Sequence, residues 1–485
     1  MPAESRTKDF SALLRPKSVA IVGASANGSS PGNRLIKILA GSGFAGNLYV
    51  LHPKTDRIDG IKAYRSFEEM PETIDYAFVC VPAAAVPDLV KNAHGRVRFM
   101  QVMTSGFGET REGVELNERL RAELRGSDVR LLGPNCIGMH TSAGRIGFIE
   151  NASYGKGSTA VVSQSGGLSI DILRRGQQMG IEFSSVISVG NSLDLGASEL
   201  IGHHLADPDV RAIGLYVENV GNGRQLFEHL RRARARKPVV ILKGGMTGEG
   251  SRAAASHTGA MAEDERTWRA LADQTGSILV GDLSVFLNLL GLFQAYPSET
   301  CDMRGDVVLV GNGGGASVIA ADHFARQGMS LHEFSDDIVE RLARVDVPAG
   351  SSLRNPVDVP ANALRGNNGR AMSDILSVLS ESKGVGAVVM HLNLTVFAGY
   401  DGGEMADNAF NALVRMRDRL ASSTKVVFVA RSDYSIGAAS QSLAFRKKGI
   451  ELGIPVFDEL GDVAVALGAM KHLSSFRKRR GIAAD

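Results

Sequence analysis

Residues 159–179, TAVVSQSGGLSIDILRRGQQM, place an apolar run, a turn of serines and glycines, and a helix-like stretch in immediate succession. Thr159-Ala-Val-Val162 reads as a buried strand, and Ser163-Gln-Ser-Gly-Gly167 as the turn that feeds a helix over 168–179. Strand, tight turn and helix form the repeating unit of a parallel sheet. The first N–H groups of such a helix have no partner within it, so the turn is predicted to bind an anion. Ser163 and Ser165 would set hydroxyls beside that anion, and Gly166 and Gly167 would open the helix start.

The same unit recurs along the chain. Ser18-Val-Ala-Ile-Val-Gly-Ala-Ser25 ends in a polar loop, ANGSSPGN, and a helix-like LIKILAGSGF. Short apolar runs follow at 47–52, 76–81, 99–103 and 129–132, with helical stretches between most of them. A second set stands at 185–189, 212–217, 239–242 and 278–280, and a third at 305–311, 386–391, 425–429 and 454–457. The 485 residues suit about three domains at roughly 150 residues each. The predicted fold class is α/β, with three consecutive doubly wound domains at 10–148, 149–298 and 303–475, and no sequence repeat of fixed period.

Composition narrows the function. Hydrophobic residues make up 44% and charged residues 22%, as in soluble globular proteins. A formal charge of +2 gives no strong attraction to nucleic acid or membrane. The basic tail KHLSSFRKRR (471–480) reads as a solvated helix end. Cys80, Cys136 and Cys301 form no CxxC pair, which excludes a Cys-rich zinc module and a disulfide scaffold; no metal site is expected on this chain. With no apolar signal core and no run long enough to span a bilayer, a cytoplasmic location is expected.

Ligands of doubly wound sheets sit beyond the C-terminal strand ends. In the first domain those ends carry Gly23-Ala24-Ser25, Pro53-Lys54, Val81-Pro82-Ala83, Thr104–Gly108 and Asn135-Cys136. The opening loop is not a full GxGxxG, and the second strand ends in His52 and Lys54 where a dinucleotide site needs an acid for the ribose. A nucleotide-like ligand whose phosphates meet Lys54 is therefore favoured over a nicotinamide dinucleotide. In the second domain Glu218 ends a strand, and KGGMTGEGSRAAASHTGAM (243–261) sets His257 among small residues without helical period, predicting a surface loop that presents an imidazole. A carboxylate near an imidazole fixes its tautomer and stabilises its positive charge, and the anion site beside them would hold a phosphoryl group carried by the ring. Each feature has a plainer reading: turn residues, a solvated carboxylate, a helix cap. The Gly-rich turn 311–315 reads as an anion site or, preferably, a tight strand–helix junction.

The stretches SVAIVGAS, YVLHPK, AFVCVPA, TSGFGE, LLGPNC, VVSQSGG, SVGN, YVEN, PVVILKGG, AAASHTGAMA, GNGGGASVIAADH and NPVDV, in that order, resemble the nucleoside-diphosphate-forming acyl-CoA synthetases, relatives of succinyl-CoA synthetase. The resemblance runs from Ser18 to about Phe457. It implies a Rossmann-like coenzyme A domain followed by two flavodoxin-like domains. It makes His257 the phosphorylated residue, Glu218 its orienting partner, and Ser163, Ser165, Gly166 and Gly167 the phosphate turn. Coenzyme A would meet Gly23, Ala24, Ser25, Pro53, Lys54, Val81, Pro82, Ala83, Asn135 and Cys136, its thiol near the last two. Fused members of the family carry an ATP-grasp domain. Finding none here implies an α-subunit type that binds a small carboxylic acid and coenzyme A, self-associates, and needs a separate ATP-grasp β subunit for ADP/ATP and Mg²⁺. The chain departs from the pattern at Glu263-Asp264, where relatives carry small residues. A non-catalytic coenzyme A sensor or scaffold, and an acyl or carbamoyl transferase, are the alternatives; retention of His257 and Glu218 counts against both.

Overall fold

A computed structural model of the protein describes residues 9–108, 111–258, 264–297, 302–361, 370–396, 404–433 and 435–482. Cys301 and Glu263 lie outside the described residues. The chain divides into two compact units, one holding residues 1–177 and 181–286, the other 178–180 and 287–485.

The first unit contains two sheets. Strands β1 (Ser18–Val22), β2 (Asn47–Leu51), β3 (Arg57–Ile58), β4 (Ile61–Tyr64), β5 (Ile74–Val79), β6 (Val97–Val102) and β7 (Arg130–Leu132) lie in the order β3-β4-β2-β1-β5-β6-β7. All pairings are parallel except the β3–β4 hairpin. Strands β1 and β5 are buried along their whole length, which is why 19–22 and 76–79 read as apolar runs. Strands β8 (Met139–Thr141), β9 (Thr159–Ser163), β10 (Phe183–Ser188), β11 (Ala212–Val217), β12 (Val239–Lys243) and β13 (Ile278–Val280) form the second sheet, ordered β13-β12-β11-β9-β10-β8. Here β8 runs antiparallel to β10. The sequence reading missed β8, whose three residues include the buried polar His140, and missed the short β3–β4 pair.

In each sheet the strand order reverses beside the first parallel strand. That leaves a crevice at the carboxyl ends of β1 and β5, and another at those of β9 and β11. The second unit holds β14 (Asp306–Gly311), β15 (Val357–Asp358), β16 (Val385–Asn393), β17 (Lys425–Arg431) and β18 (Val456–Phe457), all parallel, in the order β15-β14-β16-β17-β18. A Cβ on Gly311 would stand 2.1 Å from the His391 carbonyl oxygen, so the end of β14 is a tight junction. The basic tail ends the helix Leu460–Arg479, but Arg477 is buried rather than solvated.

Arg130 ties the edge of the first sheet to the second lobe of the same unit. Its side chain is 4% exposed; Nε donates to Asp194 Oδ2 at 3.0 Å and Nη2 to Glu199 Oε2 at 2.9 Å. Asp194 Oδ2 also accepts from the Leu131 amide at 2.8 Å. Main-chain bonds extend the seam: Leu193 N–H donates to the Gly133 carbonyl at 2.9 Å and Leu195 N–H to that of Leu131 at 3.0 Å. A bidentate guanidinium in a dry setting is strong when complete, and its loss strands two carboxylates. Replacing Arg130 with Met is expected to lower unfolding free energy by about 3–5 kcal/mol in urea melts. Arg130→Lys should fall between, because it keeps the charge but not the fork.

Candidate active site

The second sheet's crevice is built from the ends of β9, β11 and β12. Ser163 closes β9, is fully buried, and donates its hydroxyl to the Ser165 carbonyl at 2.9 Å. It shapes the turn, so its expected role as a hydroxyl facing an anion is corrected. Ser165 Oγ accepts from the Leu168 amide at 3.3 Å, capping the helix Gly166–Gln178. A Cβ on Gly167 would meet nothing within 4 Å, so the first turn of this helix is open to a ligand.

Gln164 holds the turn against β11. Its amide donates to the Tyr216 carbonyl at 3.0 Å, while its side-chain Oε1 accepts from the amides of Glu218 at 2.8 Å and Asn219 at 3.0 Å. Glu218 Oε1 accepts from the Tyr216 hydroxyl at 2.8 Å. Glu218 Oε2 is buried and has no hydrogen-bond partner among the described residues. Burial, and then the bond to this carboxylate, push the Tyr216 hydroxyl far above its ordinary range, so Tyr216 remains a donor. Lys243 ends β12 at 3% exposure; its Nζ donates to the carbonyls of Glu218 at 2.8 Å and Gly244 at 2.6 Å and sits 5.5 Å from the Trp268 ring centroid. The site thus offers one carboxylate oxygen, already desolvated, beside an open helix start. Gln164, Tyr216 and Lys243 were not singled out as site residues in the sequence. An amide inside a Ser/Gly turn and a lysine closing an apolar strand carry no distinctive local signal.

The stretch bearing His257 is a helix, Gly248–Thr258, not the loop expected. Thr247 Oγ1 accepts from the Gly250 amide at 3.1 Å as a cap, Glu249 lies in the first turn and pairs with Arg252, and the alanine run has high helix propensity. No described side chain from Gly248 to Ala254 is buried, in keeping with a sequence that shows no apolar period. His257 falls in its last turn; the side chains of 255–258 lie outside the described part of the structure.

The first-domain residues follow the ends of parallel strands as expected. Gly23 has φ 105°, and a Cβ there would stand 2.8 Å from the Cys80 carbonyl oxygen, so β1 and β5 meet closely only because this residue is glycine. Ala24 is buried behind Gly23, and the Ser25 amide donates to Asn33 Oδ1 at 2.8 Å. Pro53 and Lys54 are exposed beyond β2. Beyond β5, Pro82 is exposed, Val81 and Ala83 are half-buried, and the Val81 carbonyl accepts from Thr104 Oγ1 at 2.6 Å. Asn135 is exposed, with φ 57°, and its Nδ2 lies 3.4 Å from Asn191 Oδ1. Cys136 follows Asn135 at the same strand end, with its side chain turned inward. It is 3% exposed, and its thiol points to the Val102 and Leu132 carbonyls, both at 3.6 Å.

Comparison with known proteins agrees with this arrangement. Residues 17–142 match the CoA binding domain model, and 156–293 match the succinyl-CoA ligase like flavodoxin domain. The chain is 28% identical over 460 residues to the acetate–CoA ligase (ADP-forming) II subunit alpha of Pyrococcus furiosus, covering 94% of this chain and 96% of that one. It is 31% identical over 363 residues to the acetate–CoA ligase (ADP-forming) I subunit alpha of the same organism, covering 73% of this chain and 77% of that one. The chain belongs to the ADP-forming acyl-CoA synthetase family. A solved member of related fold, the dinucleotide forming acetyl-coenzyme A synthetase 1 of Candidatus Korarchaeum cryptofilum in complex with phosphate and ADP, superposes with TM-score 0.83 at 26% identity, covering 98% of this chain and all of that one. No described helix is long and apolar enough to cross a membrane.

In this acyl-CoA synthetase the two described cysteines are not poised nucleophiles. Burial pushes the Cys136 thiol up to about 12 and that of Cys80 up to about 11. Iodoacetamide at pH 8 is expected to leave Cys136 unmodified in the native protein and to label it only on unfolding, with Cys80 reacting slowly; peptide mass spectrometry reads both.

Proposed function

We propose that this chain is the coenzyme A-binding, phosphohistidine-bearing subunit of an ADP-forming acid–CoA ligase. The observation that carries the proposal is Glu218 Oε2, buried and without a hydrogen-bond partner among the described residues, near the open start of the helix Gly166–Gln178. A desolvated carboxylate oxygen needs a donor, and a protonated imidazole nitrogen is one. The fragment Ser256-His257-Thr258-Gly259, the match to a CoA binding domain, and coverage of 96% of a relative named subunit alpha support the same reading.

Taken from acyl-CoA, the reaction begins with a phosphate oxygen attacking the thioester carbon. A C–O bond forms, the C–S bond breaks, and coenzyme A leaves as thiolate and takes a proton. The His257 nitrogen then attacks phosphorus in the acyl phosphate. An N–P bond forms, the P–O bond breaks, and the carboxylic acid leaves as carboxylate. Glu218 accepts the other ring N–H and stabilises the cationic ring, while the amides of Gly166 and Gly167 face the phosphoryl oxygens. The phosphoryl group then passes to ADP on a separate ATP-grasp β subunit, which would also hold Mg²⁺. The Cys80 and Cys136 thiols take no part, and Asn135 is the side chain offered at the thiol end. Assembly with the β subunit, α-subunit self-association and a cytoplasmic location belong to this same proposal.

Incubation with acetyl-CoA and phosphate is expected to place an acid-labile, base-stable phosphoryl group on His257, found by mass spectrometry and absent from His257→Ala. Equal labelling of the two proteins would sink the proposal. Glu218→Gln should slow labelling roughly 10²-fold while leaving coenzyme A affinity intact. The chain alone is expected to show no ATP-dependent thioester synthesis; turnover by the pure single chain would refute the need for a second subunit.

A further inference from the structure

The helix Ala197–Ala206 crosses from the end of β10 back to the start of β11, so its last turn lies at the amino ends of the second sheet's strands, away from the carboxyl-end crevice of the candidate active site. That turn carries His203, His204 and Asp207, and one donor atom from each lies within 4.8 Å of the others. His203 and Asp207 stand four residues apart and so share a helix face; the Asp207 amide donates to the His203 carbonyl at 3.0 Å, closing the turn between them.

His204 is 1% exposed, and its two nitrogens differ. Nε2 lies 3.4 Å from Ser185 Oγ, while Nδ1 is buried with no hydrogen-bond partner among the described residues. A buried ring nitrogen without a partner is costly, and a metal ion would satisfy it. Burial lowers the His204 ring to about 3 and lowers that of His203 as well, so both rings are neutral at pH 7 and each offers a lone pair. The His203 ring is held edge-on against Phe10, with centroids 5.0 Å apart. Asp207 Oδ1 accepts the Asp209 amide at 2.9 Å, which keeps the carboxylate at the helix end. The charges acting on the two rings are the Asp207 and Asp9 carboxylates and the Lys237 ammonium. Lys237 Nζ is turned to main chain, donating to the carbonyls of His204 at 3.1 Å and of Asp207. His204 and Asp207 also line a cavity of about 700 Å³ with Ser184, Ser185 and the exposed Arg211, so an ion can reach them from solvent.

We infer that His203, His204 and Asp207 bind a divalent transition-metal ion of the Zn²⁺ class, with water from the cavity as the fourth ligand. Two imidazoles and one carboxylate are the donor set such ions take, whereas Mg²⁺ and Ca²⁺ need oxygen donors throughout. Bonds of about 2.0–2.1 Å place tetrahedral donors roughly 3.3 Å apart. Rotation of the half-buried His203 and Asp207 side chains closes the remaining gap without moving the helix. Ser185 supplies the outer contact that metal-bound histidines use, accepting the Nε2 hydrogen so that Nδ1 keeps the lone pair. The wide spacing of the cysteines, on which the expectation of no metal on this chain rested, excludes a Cys-rich module and leaves a His/Asp site open. The ion would clamp the helix end that leads into β11, independently of the ligase chemistry at the other end of the sheet.

The test uses the full chain, stripped with EDTA and dialysed against Zn²⁺ or Co²⁺. One tightly bound Zn²⁺ per chain is expected, and Co²⁺ should give the visible absorption of a four-coordinate ion, abolished by added Zn²⁺. Saturating Zn²⁺ should raise the melting temperature by at least about 2 °C. His203→Gln and Asp207→Asn, at half-buried positions, should each weaken Zn²⁺ at least about tenfold and remove the Co²⁺ band, with circular dichroism unchanged. His204→Gln disturbs a buried ring, so the other two variants carry the test. His229→Gln, at the imidazole packed over Gly202, is the control and should bind Zn²⁺ like the parent. Absence of a tight site in the parent overturns the inference. So does Zn²⁺ affinity unchanged in both His203→Gln and Asp207→Asn, or lost only in His229→Gln, since the ion would then sit elsewhere.

Discussion

The side-chain oxygen of Gln164, accepting two consecutive amides of β11's exit, is the contact on which the candidate site depends. Parallel strands leave their last amides pointing past the sheet, and in a crevice those groups must find partners or stay wet. Gln164 meets that need from within the turn of β9, so the open helix start and Glu218 are fixed by one residue. Lys243 acts likewise from β12, donating to the Glu218 main chain rather than to its carboxylate. Because both supports bind main chain, the carboxylate keeps one oxygen without a partner among the described residues while its position is set. A salt bridge from Lys243 to that carboxylate would have held Glu218 equally well and left it nothing to offer an imidazole.

The two sheets of the first unit are coupled just as closely. The residues after β10 run beside the exit of β7: the Asn191 amide donates to the Pro134 carbonyl at 3.0 Å, in line with the bonds from Leu193 and Leu195. Gly190 lies against the carbonyls of Pro134 and Asn135, where a Cβ would stand 2.4 Å from the first. This register puts Ile137 against Gly166. Under the proposed reaction, a thioester at the first sheet and a phosphoryl group at the second sheet's helix would meet across main chain fixed by these bonds. Such pre-positioning lowers a barrier without any group having to move during the chemical step.

The parts of this design that were legible in sequence are those made by main chain and burial. SVAIV, TAVVS and VVILK are buried on both faces, so composition alone marks them as strands. The SQSGG turn was legible because few other residues can lead a strand into a helix so abruptly. Side-chain direction was not. Ser163 and Cys136 occupy the expected positions, yet both turn inward, one to a turn carbonyl and the other to β6 and β7. Strand β8 was hidden because three residues with a central histidine carry no periodic signal.

The helix Gly248–Thr258 was misread for a different reason, and the reason bears on mechanism. Most stable helices are held by a buried face, and sequence readers look for that face. Here no described side chain from Gly248 to Ala254 is buried. It is held by the Thr247 cap, the Glu249–Arg252 pair and the propensity of alanine, each a weak and local contribution. An eleven-residue helix on such supports is marginal in isolation. A carrier that takes a phosphoryl group from one site and delivers it at another needs that combination. Under the proposed reaction it must be ordered enough to present the ring to Glu218, and weakly enough attached to leave. Small residues around His257 would then serve both ends of the journey, since anything larger would have to be buried at each station and pulled free between them.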